Sequence, residues 1–96
     1  MMRFPIGIYK VRDRSMEPSF HDGDYVVVNS WARSFKVGDV VIAEHPKGKM
    51  LLLKRVKRAD SSGYFLVGDN AASSTDSRHF GYLQKSRLIG KVVAKV

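Results

Sequence analysis

The strongest constraint on the fold of this chain is the regular spacing of its short, β-branched apolar segments. A polar turn separates each from the next, and most of these turns contain glycine, as in Asp22-Gly23-Asp24. Strands about 8–12 residues apart with turn signals between them are typical of antiparallel sheets. We therefore predict an all-β fold, a small, antiparallel, partly closed β-barrel-like domain with little helix. The predicted strands cover residues 6–11, 25–28, 40–43, 50–57, 64–67 and 88–96.

The sequence gives little indication of helices or of a boundary between domains. Only residues 30–35 and 73–77 permit a helical turn, and the chain has no internal repeat, low-complexity tract or linker. A length of 96 residues fits one domain and excludes a two-domain enzyme with a separate cofactor-binding half. We predict a single domain over residues 1–96.

The absence of cysteine excludes disulfides, thiolate nucleophiles and cysteine-ligated metals. His21, His45 and His79 lack the local spacing of metal ligands, so we expect no metal and no cofactor. No apolar run approaches the roughly 18–20 residues of a membrane helix. Residues 1–7 also lack the apolar stretch and small-residue cleavage site of a secretory signal. We expect a cytoplasmic protein without a membrane anchor.

The 17 basic residues outnumber the 9 acidic ones, and most of the excess lies between residues 47 and 58. A basic run can bind nucleic acid, so a small basic β-barrel of that kind is an alternative from another functional class. The run lacks the interleaved aromatic residues that stack on bases. Lysines on a solvated strand edge are the simpler interpretation, and we do not expect a nucleic-acid partner.

A serine follows the first predicted strand. Ser15 stands between that strand and the bend at Pro18, in the segment Ser15-Met16-Glu17-Pro18. A rigid corner of this kind can project a hydroxyl group towards a substrate. For an arbitrary serine before a proline, however, a hydrogen bond within its own turn is the usual role. Taken alone, the segment is a weak signal of a nucleophile.

A lysine interrupts the apolar residues of the fourth predicted strand. Alternation places Leu52, Lys54 and Val56 on one face. If that face is buried, desolvation lowers the pKa of Lys54, and the neighbouring cations at 55 and 57 lower it further. A neutral lysine can act as a general base. The alternative is a lysine at a strand end that reaches water.

Residues 68–81 form a polar segment of small side chains with a glycine at each end. Asp76 and Arg78 lie two residues apart, close enough for a bidentate ion pair that would stiffen the loop. A flexible polar loop is the alternative. The terminal glycines and the embedded pair favour a defined conformation.

In this order, the three segments resemble the sequence boxes of the serine–lysine signal peptidase family (signal peptidase I-like, S26). Gly90-Lys91-Val92 resembles the family's closing strand, so the resemblance covers residues 9–96. It implies the β fold that signal peptidases share with repressor autoproteases. The boxes are Ser15-Met16-x-Pro18 with Gly23-Asp24, then Lys54-Arg55-Val56, then Gly68-Asp69-Asn70 followed by Ser74-x-Asp76-Ser77-Arg78-x-Phe80-Gly81.

The resemblance implies a serine endopeptidase with a Ser/Lys dyad. Ser15 would attack the scissile carbonyl, with its own N–H as one oxyanion donor. Lys54 would take the hydroxyl proton and later deliver it to the leaving amine. Ser74 and Met16 would orient the lysine or support the oxyanion. Four further positions would support the site structurally: Asp69, Asn70, Asp76 and Arg78.

One position departs from the family pattern. Two residues before the nucleophile the family usually has Ser or Gly, and this chain has Asp13. A carboxylate there would repel a developing oxyanion, so either Asp13 turns away or the hole is built differently. We expect Asp13 to point outward, because the bend before Pro18 can rotate Ser15 out of the strand register. The family's membrane anchor and large inserted β-domain are also missing, and an inactive relic that only binds peptides is a further alternative.

A narrower resemblance covers Glu44-His45-Pro46, residues 51–56 and residues 68–78. These segments are similar to small soluble peptidases that mature nickel-type superoxide dismutase by removing a short N-terminal extension. The implied partner is a protein precursor, with that of nickel-type superoxide dismutase first, and the peptidase itself would hold no metal. A signal peptidase-like protease or a repressor-type autoprotease with another protein substrate is the alternative, although the chain lacks the Ala-Gly pair that such repressors cut.

Overall fold

The computed structural model describes residues 5–96, so part of the segment examined for a secretory signal lies outside the described residues. Those residues form a six-stranded sheet in which every pairing is antiparallel. The all-β prediction is confirmed, and each predicted strand matches an observed one closely. The strands are β1 (Ile6–Lys10), β2 (Tyr25–Asn29), β3 (Val40–Glu44), β4 (Leu51–Asp60), β5 (Gly63–Val67) and β6 (Leu88–Lys95).

The strand order β1-β2-β6-β3-β4-β5 makes this an open sheet with β1 and β5 at its edges. The register shifts within the β2–β6, β3–β6 and β4–β5 pairs. Such bulges bend a strand and increase its twist. Because β5 pairs with β4 only from Arg55 onwards, the first residues of β4 pair with β3 alone. This half-paired stretch leads directly to Lys54.

The sheet is buried on both faces at its centre, where Val40, Val41, Ile42 and Ala43 of β3 are all buried. Alternate residues of β3 join two different apolar clusters. This explains why β3 is continuously apolar. The first cluster contains Val11, Met16, Phe20, Val26, Val28, Val40 and Ile42; the second contains Phe35, Val41, Ala43, Val56, Leu66, Leu83 and Leu88.

Helix is scarce, as predicted, but its positions differ from the prediction. Residues 30–35 form no helix: the Ser30 and Trp31 N–H groups donate to Pro5 and Asn29 instead. Residues 73–77 are bracketed by a 3₁₀ turn (Ala71–Ser73) and by α1 (Ser77–Phe80), with a second 3₁₀ turn at Lys85–Arg87. The helix begins late because the Asp76 carboxylate caps it. Within residues 5–96 no helix is long and apolar enough to cross a membrane.

Candidate active site

Two polar side chains that are distant in sequence meet inside the fold. Ser15 is 2% exposed and Lys54 is 3% exposed, and Lys54 Nζ lies 2.9 Å from Ser15 Oγ. The turn after β1 supplies the serine, and the inward face of β4 supplies the lysine together with buried Val56. Alternation along β4 placed Lys54 and Val56 on one face, and in the structure that face is buried, so the lysine does not reach water.

Burial lowers the pKa of Lys54 from its ordinary value of 10.5. The carboxylates of Asp13 and Asp76 oppose this by favouring the charged ammonium, whereas Arg78 disfavours it. Desolvation is the largest of these effects, so the neutral amine is more accessible at moderate pH than in an exposed lysine. A neutral amine within hydrogen-bond distance of a hydroxyl group has the geometry of a general base beside its nucleophile.

The loop that begins at Gly68 fixes the backbone of the serine turn. Asn70 N donates to Ser15 O at 2.8 Å, and Asn70 Nδ2 donates to Arg14 O at 3.0 Å. A Cβ at position 68 would lie only 2.6 Å from Ser15 O and would also collide with Ser74, so glycine alone permits this approach. The loop of residues 68–81 therefore fixes the position of the Ser15 turn.

Met16 and Asp69 form a further contact between the serine turn and the loop that begins at Gly68. The Met16 side chain is 1% exposed in the first apolar cluster, and its sulfur accepts a hydrogen bond from Asp69 N at 3.4 Å. The side chain of Met16 therefore packs in the core beneath the serine turn. Its predicted support of the lysine or of an oxyanion stays a prediction.

Asp76 is the most densely bonded side chain near the site. Its carboxylate is 0% exposed and accepts hydrogen bonds from Ser74 Oγ at 2.6 Å and from Gly68 N at 2.8 Å. Arg78 adds its backbone N–H and two guanidinium N–H groups. Burial alone would raise the pKa of Asp76, but the bonds from Arg78, Ser74 and the two backbone N–H groups hold it well below the usual range.

Ser74 lies between Asp76 and the dyad residues. Its hydroxyl group donates to Asp76 and its side chain contacts Gly68, but within residues 5–96 no hydrogen bond joins it to Lys54. Because its proton is committed to Asp76, the Ser74 oxygen keeps lone pairs that can accept a bond from an ammonium group. The predicted orientation of Lys54 by Ser74 stays a prediction.

Asp13 does not point outward as expected. Its Oδ1 accepts a hydrogen bond from Ser15 N at 3.0 Å, so the carboxylate covers the N–H group that the resemblance assigns to the oxyanion. The expectation was wrong because it assumed a β-strand backbone at this position. Asp13 instead has φ 142°, outside strand geometry, and its side chain folds back onto the residue two ahead, as aspartate does in turns.

The family can be assigned once this geometry is compared with known proteins. The Peptidase S24-like family model matches residues 4–93, nearly the entire chain. The chain belongs to this family. The match spans the turn that carries Ser15, the strand that carries Lys54 and the loop of residues 68–81. The family therefore supports a serine peptidase.

Two signal peptidases are similar to this Peptidase S24-like chain. "Signal peptidase I V" of Bacillus subtilis (strain 168) is 25% identical over 137 residues, which cover 88% of this chain and 82% of that protein. "Signal peptidase I" of Bacillus caldolyticus is 54% identical over 28 residues, which cover 29% of this chain and 15% of that protein. The long alignment exceeds the 96 residues of this chain, so the relative carries insertions.

Sequence reasoning missed two residues that brace the site of this S24-like peptidase. Arg55 donates to both carboxylate oxygens of Asp69, at 2.9 and 2.8 Å, and Ser19 Oγ donates to Asp69 at 2.7 Å. These bonds, those from Arg55 first, lower the pKa of Asp69. The sequence carries a signal for this role, because alternation places Arg55 on the face opposite Lys54. Grouping Arg55 with the basic run between residues 47 and 58 obscured that signal. That run is therefore divided between internal contacts and solvent.

A groove of about 440 Å³ lies between residues of β1 and β4. Residues 8–13 form one wall and residues 50–53 form the other, with Val26 and Ile42 among its lining residues. Both walls belong to strands whose facing edges lack a partner strand within residues 5–96. Its lining includes Asp13 and Leu53, each close in sequence to one residue of the Ser15–Lys54 pair. Within the same residues, no group of three or more His, Cys, Asp or Glu could hold a metal.

Proposed function

We propose that this protein is a serine endopeptidase in which Ser15 is the nucleophile and Lys54 is the general base. The observation that carries the proposal is the 2.9 Å contact between Lys54 Nζ and Ser15 Oγ in a site where both side chains are buried. Neutral Lys54 takes the hydroxyl proton while Ser15 Oγ bonds to the scissile carbonyl carbon. The same proton passes to the leaving amine, and water then hydrolyses the ester that remains on Ser15.

The groove supports an extended peptide as the substrate. Unpaired strand edges offer backbone N–H and C=O groups on both walls, and a peptide segment in extended conformation can pair with such edges. We propose that this segment is the N-terminal extension of a protein precursor in the cytoplasm. The precursor of nickel-type superoxide dismutase is the first candidate, on the resemblance of residues 44–46, 51–56 and 68–78.

Incubation with that precursor tests the proposal, with the new N-terminus identified by mass spectrometry. Wild-type protein should release the extension at one bond. Ser15→Ala should lower the rate by roughly 10⁴-fold or more, because no other group replaces the nucleophile. Ser61→Ala, in the exposed β4–β5 turn, is the matched control and should cleave normally.

Three outcomes would redirect the proposal. Cleavage that survives Ser15→Ala would exclude Ser15 as the nucleophile. An intact nickel-type precursor, together with Ser15-dependent cleavage of another protein, would keep the chemistry and change the substrate. Salt-sensitive binding of nucleic acid by a protein that cleaves nothing would favour the basic-module alternative.

A further inference from the structure

The contact between Asp13 and Ser15 has a consequence for the reaction. A tetrahedral intermediate needs hydrogen-bond donors close to its oxyanion, and the backbone N–H of a nucleophilic serine is one of the donors that serine proteases use. Asp13 Oδ1 already accepts that N–H group at 3.0 Å. This carboxylate oxygen carries a negative charge, as an oxyanion does, and accepts the N–H group that an oxyanion would need.

We propose that Asp13 is a built-in competitor for the oxyanion position, so that the free enzyme is self-inhibited and a productive substrate must displace the carboxylate from Ser15 N–H. This inference rests on the proposed function of Ser15 as a nucleophile. Asp13 would then control the reaction rate, a role that neither the family match nor the Ser15–Lys54 pair requires.

The environment of Asp13 permits the displacement. The side chain is exposed, and within residues 5–96 the Ser15 N–H bond is its only side-chain hydrogen bond. Its backbone at φ 142° lies in a region that favours glycine, so a change in this backbone relieves strain. Asp76 provides the contrast, because its carboxylate is enclosed and accepts five hydrogen bonds. Of the two carboxylates beside the site, Asp13 is the one that can leave.

The same carboxylate also acts on the base. Three charged groups face Lys54: Asp13 and Asp76 raise its pKa and Arg78 lowers it, against the larger effect of burial. When the charge at position 13 is removed, the pKa of Lys54 falls further. Loss of Asp13 should therefore free the donor and also move the rise of activity to lower pH.

Three substitutions separate occupancy from charge. Asp13→Ser removes the carboxylate and supplies a hydroxyl donor, so kcat/KM should rise roughly tenfold or more. Asp13→Gly removes the competitor and relieves the backbone, and should give a smaller rise. Asp13→Asn keeps an oxygen that can accept Ser15 N–H but loses the charge, and should lie between Asp13→Gly and wild type. Asp22→Ser, which removes an exposed turn carboxylate, is the charge-matched control and should change neither rate nor pH profile.

The Ser15 amide gives a second measurement that needs no cleavage. In ¹⁵N–¹H spectra, the Ser15 amide of wild type should exchange its proton with solvent slowly, because Asp13 accepts that N–H group, and Asp13→Gly should speed this exchange. A Ser15 amide insensitive to Asp13→Gly overturns the inference. So does loss of activity in both Asp13→Ser and Asp13→Gly with the fold intact, which would make Asp13 a required residue.

The charge of the substrate distinguishes self-inhibition by Asp13 from a specificity contact. Two peptides that differ by one lysine near the scissile bond should both be cleaved faster by Asp13→Ser. If only the basic peptide is affected, and is cleaved more slowly, Asp13 is a specificity contact and the self-inhibition is wrong. If every variant leaves the precursor and both peptides intact, the proposed function fails, and the exchange rate of the Ser15 amide then decides alone whether Asp13 holds the N–H group.

Discussion

Two buried polar groups in this molecule are satisfied to very different degrees. Within residues 5–96, Lys54 Nζ makes one hydrogen bond, to Ser15, whereas the Asp76 carboxylate accepts five. A buried charge is stable only where hydrogen bonds and counter-charges replace its water. Asp76 has both and stays ionised, while Lys54 is driven towards its neutral form.

The difference separates a group that is suited to chemistry from one that is suited to structure. A base needs a free lone pair, so a fully bonded lysine would be useless as one. A brace needs the opposite, because each additional bond to Asp76 fixes another part of the loop: Gly68, Ser74 and the start of α1. Loss of Lys54 should therefore act chiefly on activity, and loss of Asp76 chiefly on stability.

The largest expected effect is on activity at the lysine. Lys54→Arg should be nearly as damaging as Lys54→Ala, with a loss of roughly 100- to 10,000-fold in kcat/KM, because a guanidinium group stays protonated and cannot accept the Ser15 proton. Lys57→Arg, on the same strand but exposed, is the matched control and should retain normal activity. Cleavage rates on one precursor compare the three. Normal turnover by Lys54→Arg would assign the lysine to structure.

The pH profile of the wild type tests the same group. Burial lowers the pKa of Lys54 below 10.5, so activity should rise as the ammonium group loses its proton, with a midpoint below that value. The initial rate from pH 5 to pH 11 measures this midpoint. A midpoint at or above 10.5 would mean that burial does not control Lys54.

The next largest effect is on stability at the brace. Asp76→Asn should reduce the free energy of unfolding by about 3 kcal/mol, because an amide group turns a donor towards Gly68 N, Ser74 or Arg78. Arg78→Ala should cost less, since its side chain is partly exposed. Urea unfolding of both single variants and the double variant gives their coupling. The double variant should lose less than the sum of the singles, and additive losses would show that the pair does not interact.

The loss of stability in acid tests the role of the Asp76 carboxylate independently. Hydrogen bonds hold the pKa of folded Asp76 below that of the unfolded chain, so this stabilisation is complete above the unfolded pKa and is lost as pH falls through the folded one. Between pH 6 and pH 3 the stability of wild type should therefore fall more than that of Asp76→Asn. Equal losses would mean that another carboxylate controls the acid response.

The contrast between the two groups also explains what could be predicted from sequence. Period-2 alternation fixes which residues of a strand share a face, so the six strands and the common face of Lys54 and Val56 followed from it, whereas the burial of that face did not. The proximity of Asp76 and Arg78 followed from their spacing.

Contacts across the fold did not follow, because they depend on backbone geometry that no local pattern encodes. The fold-back of Asp13 needs φ 142°, which alternation cannot predict. The bond from Arg55 to Asp69 joins a strand to a loop that the sequence assigned to different roles. Ser74 was matched to Lys54 by resemblance, yet its hydroxyl donates to Asp76.

A smaller effect is expected where the bracing ion pair is partly exposed. Arg55→Lys removes the bidentate contact with Asp69 and should cost about 1–2 kcal/mol of stability. The cost is lower than at Asp76 because solvent can reach the Arg55 side chain. Arg33→Lys, which is exposed between β2 and β3, is the control and should be neutral. A loss at Arg55 as large as that at Asp76 would contradict the assigned difference between buried and exposed braces.

The smallest expected effect has the opposite sign. Lys54→Met should raise the free energy of unfolding by about 0.5–1 kcal/mol near pH 7, although it removes the proposed base, because methionine has similar length and no charge to desolvate. A gain of 1 kcal/mol in a domain of this size raises Tm by roughly 4–8 °C. Thermal unfolding of wild type and Lys54→Met measures the shift.

The dependence of that gain on pH identifies its cause. Because the pKa of Lys54 is lower in the folded protein than in the unfolded chain, the unfolded chain binds more protons between the two values. The penalty on wild type is therefore complete below the folded pKa and vanishes as pH rises towards 10.5. The advantage of Lys54→Met should shrink over the same interval. A constant advantage would indicate better packing by methionine, and a loss of stability near pH 7 would mean that the single bond to Ser15 outweighs the burial of the charge.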